Sequence, residues 1–251
     1  MSTQSAARDS LVIIPTYNEK ENIAAIIEAV LGLERDFDLL IVDDNSPDGT
    51  AAIVKDKIKQ YPGRVNILER QGKQGLGTAY IAGFRWALDH GYEYIFEMDA
   101  DFSHNPADLL RLHAAVAQHG ADLAVGSRYC KGVNVENWPM GRVLMSYYAS
   151  KYVRFVTALP VHDTTAGFVC YRSSVLRSMD LDSIRFKGYA FQIEMKYTAH
   201  KLGFQVEEVP IVFTNRVLGT SKMNSSIFGE AMTGVLKLRF GRAPRGKRKE
   251  A

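Results

Sequence analysis

YIFEMDADFSHNPADLL, residues 94–110, decides the fold. Its first five residues are a short apolar run that suits a buried strand, and Asp99-Ala100-Asp101 follows at once. From Pro106 the pattern turns helical as far as His119. The same sequence of strand, polar turn and helix recurs on both sides. Upstream, Ser10–Pro15 (SLVIIP), Phe37–Val42 and Val65–Glu69 read as strands. Helices follow each of them, over Ile23–Leu31, from residue 50 to Gln60 and over Thr78–His90. Downstream, Leu123–Gly126 reads as a fifth strand. Strands and helices alternating at this interval predict right-handed βαβ units, and so an α/β, Rossmann-like, mostly parallel sheet flanked by helices. Asn18 and Glu21, three residues apart, are expected to form a capping box for the first helix.

Open sheets of this kind take ligands at the carboxyl ends of their strands. The polar residues cluster there: Tyr17 to Glu19, Asp43 to Asp44, Asp99 to Asp101, and Ser127 to Arg128. That clustering argues for a nucleotide site. After about residue 135 the alternation stops. Helices are expected over Met140–Leu159, Ala190–Leu202 and Ile227–Phe240, with a strand over Val206–Phe213. The chain reads as one domain over residues 10–240, with a nucleotide half at 10–130 and a second half at 131–240. Residues 1–9 are expected to be disordered and 241–251 to form a basic tail.

Composition narrows the classes. The formal charge is +3, from 31 basic and 28 acidic side chains, so no nucleic-acid partner is expected from the balance. Its distribution is uneven: Lys237, Arg239, Arg242, Arg245, Lys247, Arg248 and Lys249 crowd the C-terminus against Glu250 alone. Two cysteines, Cys130 and Cys170, are too few for a disulfide framework and point to a reducing compartment. The first ten residues carry no apolar signal core, and no stretch approaches the roughly 18 to 20 apolar residues of a membrane span. A cytoplasmic protein, soluble or peripheral to a membrane, is expected.

Asp99 and Asp101 can share a hard cation through oxygen ligands, and a cation there would neutralise a diphosphate. An isolated Asp-x-Asp is more often a solvated turn, but its place directly after an apolar strand favours the metal. Asp43 and Asp44 fit either a nucleoside contact or turn-forming hydrogen bonds, one for each role. Gly72, Gly75 and Gly77 have the spacing of neither a dinucleotide fingerprint nor a P-loop, so a phosphate cradle and a close-packing turn both stay open. Arg128 and Arg142 suit phosphate, which a guanidinium matches with paired hydrogen bonds. His104 and His162 have no partner at zinc spacing.

Together these motifs resemble the family 2 glycosyltransferases of the GT-A fold, and most closely the dolichol-phosphate mannose synthases. The match is carried by PTYNE at 15–19, VDDNSPDGT at 42–50, GLGTAY at 75–80, MDADFSHNP at 98–106 and GSRY at 126–129. DTTAGF at 163–168, GYAFQIEM at 188–195 and RVLGTSK at 216–222 complete it. The resemblance implies a GT-A catalytic domain with a nucleotide-sugar half and an acceptor half. It places Pro15, Tyr17, Glu19, Val42 and Asp44 around the nucleoside, and Asp99, Ala100 and Asp101 at the diphosphate. Asp99, Asp101 and Ser103 would hold Mg2+ or Mn2+; Arg128, Arg142 and Ser146 the acceptor phosphate; Arg216 and Lys222 a loop closing over the donor. Asp163 and Glu194 fall in motifs without assigned roles.

The implied reaction is inverting transfer of mannose from GDP-mannose to a polyprenyl (dolichyl) phosphate. A phosphate is already anionic at neutral pH, so the acceptor needs no strong base, in keeping with a sequence that shows no obvious His–carboxylate pair. Rival readings are the same machinery with UDP-glucose or UDP-N-acetylglucosamine, a nicotinamide-dependent oxidoreductase, and a non-catalytic sugar-nucleotide sensor. Some family members append transmembrane helices, whereas this sequence ends in a basic segment. Contact with an anionic membrane surface at the cytosolic face is then expected through that tail, an amphipathic face, or a separate membrane-anchoring subunit.

Overall fold

The computed structural model describes residues 8–188, 190–216, 234–241 and 244–249. Four parallel strands form its first half: β1 (Ser10–Thr16), β2 (Asp38–Asp43), β3 (Val65–Glu69) and β4 (Tyr94–Glu97). They are joined by α1 (Ile23–Leu31), α2 (Thr50–Gln60) and α3 (Leu76–Asp89). Then come α4 (Asp108–Ala117), β5 (Leu123–Ser127), β6 (Val135–Glu136), α5 (Met140–Thr157), β7 (Val169–Arg172) and α6 (Ser173–Ser178). Finally α7 (Ala190–Lys201), β8 (Val206–Pro210) and β9 (Phe213–Thr214) are followed by a helical turn over 234–240. The seven-stranded sheet runs β3-β2-β1-β4-β7-β5-β8, while β6 and β9 pair separately.

Alternation along the strands builds two cores. Leu11 and Ile13 face Tyr80, Phe84 and Phe191 on one side of the sheet. Val12 and Ile14 face Ile26, Ile27, Phe37 and Leu112 on the other. Successive side chains of a strand point to opposite faces, so a sheet with both faces covered needs such continuous apolar strands.

β6, β7 and α6 are elements the sequence does not announce, and β7 shapes the sheet. It lies antiparallel between β4 and β5, pairing Val169 with both Glu97 and Val125. Because it runs backwards, the segment entering it, Asp163–Phe168, arrives at the carboxyl edge of the parallel strands.

Other expectations need correction. Asn18 does not cap α1: it has a φ of 56° and its N–H is bound by Ser46 Oγ, while Asn22 occupies the cap position. The strand expected over 206–213 breaks after Pro210, and Phe213 joins β9 instead. Arg8 and Asp9 are attached rather than disordered: Arg8 bonds the Gly63 carbonyl, and the Asp9 carbonyl accepts from Glu93 and Tyr94. Within the segment expected as a basic tail, residues 244–249 are attached. Gly246 bridges Met179, Lys247 N–H bonds the Ser178 carbonyl, and Lys249 Nζ reaches Asp122 Oδ2 at 2.7 Å. Asp122 precedes β5, so this strap sits at the amino edge of the sheet, roughly 20 Å of strand away from Arg128.

His113 on α4 is buried edge-to-face against Tyr94 at 4.6 Å, and its Nε2 has no hydrogen-bond partner among the described residues. Burial, with the Arg35 charge adding to it, holds its pKa down at about 4. The unfolded chain therefore binds a proton near pH 6.5 that the folded one refuses, and stability falls as pH drops from 6.5 towards 4. The loss should be about 1–3 kcal/mol. Urea unfolding at pH 7 and 4.5 checks this: His113→Phe should lose less stability on acidification than the parent by that amount, and an equal loss would refute it.

Candidate active site

The four parallel strands β1, β2, β4 and β5 deliver their polar ends to one edge. Asp43 and Asp44 divide the work there. Asp43 accepts from Thr16 Oγ1 at 2.8 Å and from the N–H and hydroxyl of Ser46, which closes the turn after β2. Asp44 points the other way and accepts from Arg70 Nε at 2.6 Å, while Arg70 Nη1 bonds Thr78 Oγ1. Sequence reading misses Arg70, which stands one residue past β3. Glu19 is buried and accepts from Asn22. Tyr17 stands beside it with the Lys73 ammonium 5.3 Å from its ring centre. Pro15 is half-buried in β1. Val42 and Ala100 are wholly within the two cores, so their side chains pack the sheet and do not line the edge.

The glycine-rich loop resolves towards packing at two of its three glycines. Gly77 donates its N–H to the Lys187 carbonyl at 2.8 Å, and a Cβ there would stand 2.7 Å from the Phe191 ring. Gly75 has a φ of 103° and meets Lys187 as closely. Glu194 shapes the neighbouring segment before α7, which carries Lys187, since its Oε2 accepts the N–H groups of Arg185 and Phe186 at 2.8 and 2.9 Å.

Asp101 Oδ1 accepts the Ser103 N–H at 3.0 Å, and its Oδ2 pairs with Arg216 at 2.5 Å. Burial pushes this carboxyl up, but the Ser103 hydrogen bonds and the Arg216 charge outweigh it and hold it below the usual range. Asp99 is pushed the other way, by burial first and then by the Asp101 charge. Two adjacent carboxylates that raise one another's energy offer hard oxygen ligands to a divalent cation. Among the described residues no group of three or more His, Cys, Asp or Glu stands ready as a metal cage. Two carboxylates past one strand end, with Ser103 beside them, fit a hard divalent cation that keeps water and substrate oxygens. His104 takes no such role. Its Nδ1 accepts the Asp99 N–H at 3.2 Å, and its ring stacks on Phe168 at 4.7 Å.

Arg128, Arg142 and Ser146 come together. Tyr129 donates its hydroxyl to Ser146 at 2.8 Å, and its ring centre lies 5.1 Å from the Arg128 guanidinium. Arg142 lies over the Trp138 ring at 3.9 Å and donates to Asn215 at 3.2 Å. Asn215 and Arg216 are neighbours, so two consecutive residues touch the arginine cluster and the Asp99–Asp101 pair. β9 fixes them there, because Thr214 N–H bonds the Ser103 carbonyl and Phe213 packs on His104 and Trp138. Lys222 lies outside the described residues, as do Ile227, Phe228 and Met232 of the expected final helix. Cys130 and Cys170 are free thiols outside this arrangement.

Comparison with known proteins gives the family and the fold. The family model described as glycosyl transferase family 2 matches residues 11–179. Polyprenol monophosphomannose synthase of Mycolicibacterium smegmatis is 48% identical over 234 residues, covering 93% of this chain and 88% of that protein. Undecaprenyl-phosphate mannosyltransferase of Micrococcus luteus is 46% identical over 235 residues, covering 94% and 95%. Among solved structures, glucosyl-3-phosphoglycerate synthase from Mycobacterium tuberculosis, in complex with Mn2+, UDP and glucosyl-3-phosphoglycerate, superposes with a TM-score of 0.66 at 18% identity, covering 94% of this chain and 81% of that one. The fold is thus of the GT-A type.

Proposed function

Because this chain belongs to glycosyl transferase family 2, and is a glycosyltransferase, we propose that it moves mannose from GDP-mannose to a polyprenyl phosphate at a membrane surface, giving polyprenyl-phosphate mannose and GDP. The names of its two relatives at 46–48% identity support the acceptor and the sugar. The observation that carries the reading is the junction at Asn215–Arg216, which ties a cluster of acceptor-side arginines to the paired carboxylates. Two anionic substrates meeting at one carbon need such a junction of charges.

In this reading Tyr17, Glu19 and Asp44 border the nucleoside, and Arg128, Arg142 and Ser146 hold the acceptor phosphate. An oxygen of that phosphate attacks the anomeric carbon from the face opposite the diphosphate. The bond from that carbon to the β-phosphate oxygen breaks, and GDP leaves with the electron pair. Asp99 and Asp101, with Ser103, would hold Mg2+ or Mn2+, which when bound supplies positive charge against the diphosphate. Arg216 adds a further charge at the same place.

α5 supports a membrane location. Met140, Leu144, Tyr148 and Phe155 form one exposed stripe at helical spacing, with Lys151 within it. Phe155 is 89% exposed. The helix carries Arg142, Lys151 and Arg154 and no acid. Its other side packs through Val153 on Ile193, Tyr197, Val235 and Leu238. An exposed, largely apolar face with Lys151 in it, on the helix that also carries Arg142, suits a surface whose lipid presents a phosphate. Among the described residues no helix is long and apolar enough to cross a membrane.

The test is a donor competition. Labelled GDP-mannose, UDP-glucose and UDP-N-acetylglucosamine are each offered with a short polyprenyl phosphate and MgCl2 or MnCl2. Lipid-extractable mannose is the expected product. Transfer from a UDP-sugar alone would overturn the donor, and no lipid product from any donor would overturn the function.

A further inference from the structure

We propose that Asp163 is a positioning residue that aims Arg128 at the acceptor phosphate, and that Glu208 and Lys196 hold the Asp163 loop in place for it. This rests on the reading of Arg128 given above. It assigns work to three charged residues that the transfer reaction does not otherwise use.

Asp163 is wholly buried, and both of its oxygens accept from Arg128, with a longer 3.5 Å bond from Thr165 Oγ1 to Oδ1. Its Oδ2 accepts the backbone N–H of Arg128 at 3.0 Å and its Nε–H at 2.6 Å. Its Oδ1 accepts from Arg128 Nη2 at 2.6 Å. The paired bonds fix the plane of the guanidinium, which also bonds Thr165 Oγ1 at 2.9 Å. The rings of Tyr129, Trp138 and Phe213 lie 5.1 to 5.5 Å from it. Arg128 is thereby held rigid on a side chain that is otherwise long and flexible. Burial pushes the Asp163 carboxyl up, but the Arg128 charge and hydrogen bonds outweigh it, so it stays a carboxylate. Buried and saturated in this way, it has no geometry for taking a proton from a substrate.

The loop is pinned at both ends. Glu208 of β8 accepts the Asp163 N–H with Oε1 at 3.0 Å and the His162 N–H with Oε2 at 2.8 Å. Lys196 of α7 is wholly buried, and its ammonium donates to the Ala166 carbonyl at 2.6 Å and to Gln192. A buried charge is kept where it is paired and hydrogen-bonded, and here the pairing converges on residues 162–166.

The test is a double-mutant cycle on the full chain, after transfer to a polyprenyl phosphate has been established for the parent. Asp163→Asn and Arg128→Lys should each lower kcat/KM for polyprenyl phosphate about 10- to 100-fold. The loss should lie mainly in the acceptor KM, with GDP binding by calorimetry little changed. The double variant should be no worse than the worse single one. Losses that multiply, or a fall in kcat at unchanged acceptor KM, would mean that Asp163 acts on the substrate itself and would overturn the proposal. Glu208→Gln, which leaves Asp163 and Arg128 intact, should give a milder loss of the same kind and guards against a misfolded Asp163→Asn. A second readout needs no turnover. The Arg128 Nε–H resonance, identified by its loss in Arg128→Lys, should exchange slowly with solvent in the parent and rapidly in Asp163→Asn. Unchanged protection would overturn the clamp, whereas a parent that transfers no mannose but keeps the protected resonance would overturn only the acceptor reading.

Discussion

Asp101→Ala should abolish transfer, lowering kcat by about 10³-fold or more while leaving the fold intact. Asp101 stands past the end of β4, where it contributes little to either core. Its loss removes one of the two carboxylates at the edge and leaves Arg216 and Ser103 N–H without their shared acceptor. Asp101→Asn separates these effects. It keeps an oxygen for Ser103 but loses the charge, so it should fail as badly as alanine if charge and metal binding are what matter. Thermal melts should stay within a few degrees of the parent, and a chelator should silence the parent as the substitution does. Full turnover in chelator, or in either variant, would sink the metal reading.

Carboxylates placed on the exposed stripe of α5 should release the protein from membranes. Tyr148→Asp with Phe155→Asp removes two large exposed rings, and burying such a side chain is worth about 1.5–3 kcal/mol. Two together predict a loss of roughly two to four decades in partition to vesicles containing anionic lipid. Neither residue belongs to the arginine cluster, so transfer to a water-soluble short-chain phosphate should persist. Truncation after residue 243 is the contrasting variant. Its removed strap lies at the opposite edge of the sheet, so it should lower the melting temperature and spare vesicle binding. If sedimentation with vesicles instead follows the truncation and ignores the α5 changes, the basic segment is the anchor after all.

The sequence is legible where the chain is periodic. Parallel strands with both faces covered must be apolar throughout, so β1, β2 and β4 announce themselves, and a parallel sheet places their polar ends together. It is illegible where partners come from afar. VCYR in β7 is four residues long and carries no turn signal that sets it apart from the helix at Ser173. Its reversed direction is a property of the whole sheet. The partner of Asp44 is Arg70, and only the register of β2 on β3 brings them together. α7 holds Gln192, Glu194 and Lys196 among apolar residues, and every residue from Ala190 to Ala199 is buried. Charges on a helix that is buried all round mark an internal network, and that signal is present in the sequence without saying which loop the network holds.

The reversed strand also dictates an order of assembly during synthesis. β1 to β4 can pair as soon as residue 97 has left the ribosome, since each has its neighbour already made. β5 is in a different position. Both of its neighbours, β7 and β8, are translated after it. An apolar strand of sequence LAVGS must therefore wait, unpaired on both edges, while some forty further residues emerge. Such an edge is a target for chaperones and for aggregation. The arginine cluster at its end is likewise completed late, once Asp163 and Asn215 have been made, and so is the pairing of Asp101 with Arg216.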